Sequence, residues 1–198
     1  MSSALAIAAV TSILKSMLDN HLVHSGVTTS VGEVTVSALP PDRISLGTEE
    51  RSQLNLFMYR LTPHTAWRKV EPSTSGEPPT GRRLALDLHY LITAYGEQDY
   101  HAEILLGHAV QLLLDTPLLT QDAVRSALSN GHAGNGSVFS SSQAALNGAS
   151  LGDYVDRLEI VPEFLSSEET SKLWSSLQAR YRPSAAYKVS SVVMESSR

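Results

Sequence analysis

The 198-residue chain carries 15 Lys and Arg against 20 Asp and Glu, which makes 18% of its side chains charged with a net charge of -5, below the roughly 25% charged share of an average soluble domain. Small polar residues, Ser above all, fill the gap, and a 42% apolar share fits neither a membrane protein nor a disordered chain. The acidic balance counts against a nucleic-acid partner, which calls for clustered Lys and Arg. The lack of cysteine removes disulfides, thiolate nucleophiles and sulfur-ligated metal sites.

In chain order, apolar residues at three- and four-residue steps (Ile7, Val10, Ile13, Leu14, Met17, Leu18, Leu22) predict an amphipathic helix from Ala4 to Leu22, ended by Gly26. Lys15, Asp19 and His21 interrupt the run and no basic segment precedes it, so it reads as a folded helix of a cytosolically made protein, with no membrane insertion. Val31–Leu39 alternates and stops at Pro40–Pro41, predicting a short edge strand. Arg51–Leu61 becomes apolar on both faces and predicts a central strand, closed by Thr62–Pro63. His64–Thr80 is a loop by composition. Leu84–Tyr95 is the clearest strand: one face is apolar, and the other mixes Ala85, Asp87, His89, Leu91, Thr93 and Tyr95.

Gly96–Asp99 supplies a turn and an N-cap for a helix through Ile104, Leu105, Val110 and Leu114 to Asp115. Pro117 interrupts, and Thr120–Ser129 reads as a second short helix. From Ser126 to Gly152, 27 residues pass without a charge, which predicts a flexible or partner-ordered insertion at about 129–152. Asp153–Pro162 is a short strand. Ser166 or Ser167 caps a helix with Glu168–Glu169 in its first turn and Leu173, Trp174 and Leu177 turned inward. After Pro183, Ala185–Met194 alternates as a last strand, with Val189–Glu195 read as an edge open to pairing. The expected fold is α+β (mixed α/β): a single mixed sheet of about five strands flanked by three to four helices, one domain over 1–198.

The signatures of phosphate-binding loops, zinc proteases and serine hydrolases are absent. His101 and His108 stand two helical turns apart, too far to hold one metal alone, and His21 and His24 read as helix-end residues. No metal site and no cofactor is expected. Asp87 and His89 share a strand face, the carboxylate–imidazole pair that a small hydrolase would combine with a serine from elsewhere. Trp67 beside Arg68 and Lys69 reads as an interface anchor, since Trp and Arg dominate binding hot spots, or as the core of a peptide-binding loop.

Four blocks in order, Leu54–Arg68, Leu84–Gly96, His101–Gly107 and Leu165–Leu177 followed by Tyr181–Tyr187, resemble the DUF4255 family, the N-terminal domain of the cap protein of phage-tail-like contractile injection systems. The resemblance spans nearly the whole chain and implies a tail-terminator-like fold. It also implies a non-enzymatic structural protein, without catalytic residues, that forms a homohexameric ring. Such a ring terminates the inner tube and sheath, its partners, at the end distal to the baseplate. The particle is then assembled in the bacterial cytoplasm. Contacts with neighbouring subunits, tube or sheath are expected from Trp67, Arg68, Lys69, Arg82 and Arg83, and from Phe139, Val189 and Val193.

Overall fold

The computed structural model describes residues 5–44, 51–64, 83–120 and 157–195. In chain order these form α1 (Ala6–His24), α2 (Thr28–Val31), β1 (Thr35–Ser37), a 3-10 turn (Pro41–Arg43), β2 (Gln53–Pro63), β3 (Arg83–Tyr95), α3 (His101–Asp115), β4 (Leu118–Thr120), β5 (Arg157–Glu163), α4 (Ser167–Ser176) and β6 (Ser184–Glu195). The strands make one mixed sheet in the order β1-β2-β3-β6-β5-β4. All neighbours are antiparallel except β1 and β2, which run parallel.

The sheet has six strands rather than five. Leu118–Thr120, expected to begin a helix at Thr120, instead pairs with Arg157–Glu159. Three residues are too few to show a period, so tertiary pairing decides their conformation. The expected Val31–Leu39 strand shrinks to β1, because Thr28–Val31 turns once more as a helix before Gly32, whose φ of 80° a side chain rarely tolerates. β1 does lie at the sheet edge, as its proline stop predicted.

The reading of Val189–Glu195 as an edge is corrected. β6 lies inside the sheet, bonded to β3 along its length and to β5 over Ala186–Ser190. Val189, expected at an interface, is fully buried in the core, whereas Val193 is half-buried. The alternation of a half-exposed edge and that of an inner strand with one polar face look alike in sequence.

One face of the sheet is covered by α1 and α3. Ile13, Leu18, Leu54, Leu88, Ile92, Leu105, Leu158 and Val189 are essentially inaccessible there, each large side chain contributing about 1.5–3 kcal/mol by leaving water. Tyr90, fully buried on β3, reaches α1 through a 2.8 Å bond between its hydroxyl and that of Thr11. Burial raises the Tyr90 pKa, so the hydroxyl stays protonated and can donate. Gly96 follows β3 where the chain turns back into α3. A Cβ there would stand 2.6 Å from the Ala102 nitrogen, so only glycine fits.

α4 begins as its sequence dictates. The Ser166 hydroxyl accepts from the Glu169 amide and the Glu169 carboxylate accepts from the Ser166 amide, a reciprocal capping box. α3, by contrast, starts after Tyr100 in a left-handed conformation with no side-chain cap, so Asp99 does not cap it. No helix among the described residues is long and apolar enough to cross a membrane.

Candidate functional site

The second face of the sheet carries polar side chains under unusual cover. Asn55, Asp87, His89 and Thr93 are each no more than 5% exposed. Two irregularities shape this region. The β2–β3 register shifts around Tyr59, and the β3–β6 register shifts between Leu86 and Leu88, where Ser191 takes a φ of 70°. Such bulges bend the strand and re-aim side chains. They lie where residues from two strands, β2 and β3, meet one carboxylate of a third.

That carboxylate is Glu163, at the end of β5. Its Oε2 accepts from the Tyr59 hydroxyl and from His89 Nδ1, both at 2.8 Å, and its Oε1 accepts from Arg60 Nη2 at 2.8 Å. The other ring nitrogen of His89, Nε2, lies 2.9 Å from the Thr62 hydroxyl, which can donate to it or accept from it. Burial alone would raise the Glu163 pKa, but bonds from His89 and Tyr59 and the charges of His89 and Arg60 outweigh it and hold the carboxyl below its usual range. Burial, followed by the bond to Glu163, pushes the Tyr59 hydroxyl upward. The network ties β2 and β3 to the end of β5 across β6.

Asp87 and His89, the pair a hydrolase would use, do not bond each other. Asp87 accepts from His64 Nδ1 at 2.7 Å. The order hydroxyl, imidazole, carboxylate does occur, as Thr62–His89–Glu163, but the His89 side chain is only 5% exposed and its carboxylate is shared with an arginine. A nucleophile also needs room for a substrate beside it. The nearby depression of about 370 Å³ is lined by Leu91, Glu163, Phe164, Thr170, Tyr181 and Ala186 among others, so it touches the carboxylate but neither Thr62 nor His89. The cluster has the makings of a clamp between strands.

A second polar device holds the sheet edge. Asn55 Oδ1 accepts from the Ser37 hydroxyl at 2.8 Å and the Leu39 amide at 3.0 Å, while its amide donates to the Leu39 carbonyl at 2.8 Å. Asn55 and Glu163 were both missed by sequence reasoning. A lone Asn in an apolar strand could have drawn notice for Asn55; nothing local marks Glu163, whose partners lie about a hundred residues away.

The histidine pairs weighed for metal binding do not form. His101 turns to the Ser52 hydroxyl at 3.3 Å and His24 to the Asn20 carbonyl at 2.7 Å. Instead His21 of α1 and His108 of α3 face each other. Burial, then the neighbouring charge of His108, lowers the His21 pKa against the pull of Asp115. Among the described residues, no group of three or more His, Asp or Glu side chains is arranged to hold a metal ion.

Of the expected contact residues, Trp67, Arg68, Lys69, Arg82 and Phe139 lie outside the described residues, as do the 129–152 insertion and the helix expected after Thr120. Arg83 opens β3, paired with Glu195. Exposed apolar surface gathers elsewhere, at Phe164 (96% exposed) and Tyr181 (65%), which border the depression.

The fold has solved counterparts. A sheath/tube terminator of the extracellular contractile injection system PVC, in its extended state, aligns with a TM-score of 0.58 at 16% identity, covering 97% of this chain and 57% of that one. The tube-terminating cap of the anti-feeding prophage, AFP, aligns with a TM-score of 0.51 at 16% identity, covering 90% of this chain and 54% of that one. The chain thus spans little more than half the length of either protein, and the likeness is one of fold. No curated protein matches it. The family model described as the Pvc16 N-terminal domain matches residues 9–198, in agreement with the resemblance drawn from the four sequence blocks. The chain belongs to the Pvc16 N-terminal domain family.

Proposed function

We propose that this chain is the structural terminator subunit of a contractile injection system. In this reading six copies close into a ring on the end of the inner tube and sheath distal to the baseplate, and the ring stops their growth. The particle is assembled in the bacterial cytoplasm, and the subunit acts as one domain without catalysis. The observation that carries the reading is the family match over residues 9–198, supported by two terminator proteins of the same fold.

A heterologous ring needs each subunit to present two different, complementary surfaces. Trp67, Arg68, Lys69, Arg82, Arg83, Phe139 and Val193 are proposed for contacts with neighbouring subunits, tube or sheath.

Electron microscopy of particles from a strain lacking the protein tests the role. Open-ended or irregularly long tubes are expected, and capped particles of normal length would refute it. Sedimentation of the purified chain tests the stoichiometry. A hexamer runs at about 130 kDa, six times the 21.4 kDa subunit. Any other closed ring corrects the number without touching the role.

A further inference from the structure

We propose that the chain docks on a second copy of itself through an aromatic knob: Tyr100, in the turn between β3 and α3, inserts into the apolar depression bordered by Phe164 and Tyr181 of the next copy. The proposal rests on the ring reading above, which requires two different surfaces that fit each other.

The hole lies where β5 has ended. Glu163 and Ala186 form the last β5–β6 pair, and β6 extends past it to Ser184. Val110 of α3 and Thr170 of α4 contribute walls, and Tyr181 is held edge-on against Trp174, with ring centres 5.7 Å apart. A pre-formed apolar hollow of about 370 Å³ suits a large side chain, and aromatic anchors in such hollows carry much of the energy of protein contacts.

The knob is Tyr100, 75% exposed at a φ of 68°. Among the described residues two other non-glycine residues have a positive φ, and each serves the fold: Gln178 follows the end of α4, and Ser191 lies in the β6 bulge. Glycine would make the Tyr100 turn without strain, so a bulky exposed ring kept there points to a use outside the subunit. Charge agrees. Each copy has a net charge of -5, so copies repel on average, and a contact that sets base against acid offsets this. Exposed Glu97 and Asp99 flank the knob in sequence, and exposed Arg180 precedes Tyr181 at the hole. Position agrees as well. His101, next to Tyr100, bonds Ser52 beside the start of β2, whereas the hole lies beyond the end of β5, with β3 and β6 between. Knob and hole on opposite flanks of the sheet give a head-to-tail contact, which propagates until the ring closes.

The test places a benzophenone amino acid at the exposed position 164 in cells that produce complete particles, and irradiates them. The expected adduct has twice the 21.4 kDa subunit mass, with the crosslink mapped by mass spectrometry to Glu97–His101. No adduct, an adduct with a different protein, or a crosslink elsewhere in the chain would overturn the proposal. Adding Tyr100→Gly is expected to cut the adduct at least about tenfold while the melting temperature of the purified chain holds or rises, and Tyr100→Phe is expected to keep the adduct. An undiminished adduct in Tyr100→Gly overturns the proposal equally. Normally capped particles in the deletion strain would instead refute the ring reading and leave the adduct standing, so the two failures are told apart.

Discussion

On the helix-covered face of the sheet, Leu54, Leu88 and Val189 are sealed among aliphatic neighbours; on the opposite face, Arg60, His89 and Glu163 meet through directional bonds. The first face gains stability in proportion to area and tolerates side chains of similar volume. The second depends on every partner being present, because a buried group that loses its partner keeps the cost of leaving water. The second face therefore carries a pH dependence at Glu163 that the aliphatic contacts of the first do not.

Substitutions can measure this contrast. Leu88→Ala, at a position with no exposed surface, is expected to cost about 3–4 kcal/mol in denaturant unfolding. A loss under about 1 kcal/mol would show that the helix-covered face is not the rigid one. Glu163→Ala, which leaves Tyr59 and His89 without their acceptor, is expected to cost about 2 kcal/mol. The same variant carries a pH signature. The folded carboxyl titrates below the usual value of about 4.5, so Glu163 stabilises the fold above that pH and loses the contribution as pH falls through its lower folded value. Stability of the unmodified chain should therefore decline below about pH 4.5 more steeply than that of Glu163→Ala, whereas Leu88→Ala should parallel the unmodified chain. Ser166→Ala removes the hydroxyl of the capping box and is expected to cost about 1 kcal/mol, read as a lowered melting temperature. Lys172→Ala removes an exposed pair with Glu168 and is expected to change nothing measurable.

The elements that could be read from sequence are those whose own period or cap is sufficient. The apolar stripe of α1, the alternation of β3 and the Ser166–Glu169 box each declare themselves within a few residues. β4 was not legible because three residues have no period, and the inner position of β6 was not legible because strand order is a long-range property. The polar cluster divides in the same way. Asp87 and His89 stood out as a pair on one strand face, but their true partners, His64 and Glu163, depend on bulges at Tyr59 and Ser191 and on which strands become neighbours. The junction of His21 with His108 was hidden for the same reason: each histidine was compared with neighbours on its own helix, and the meeting is between helices.

The pairing of β4 with β5 has a consequence for how this domain can vary. Leu118–Thr120 runs antiparallel to Arg157–Glu159, so Thr120 and Arg157 stand directly opposite each other. The ends of the intervening segment are thus fixed as neighbours whatever its length. Closing a loop becomes more costly only with the logarithm of its length, about 0.6 kcal/mol for each doubling. A change of chain length between these two strands therefore leaves their pairing register free to persist.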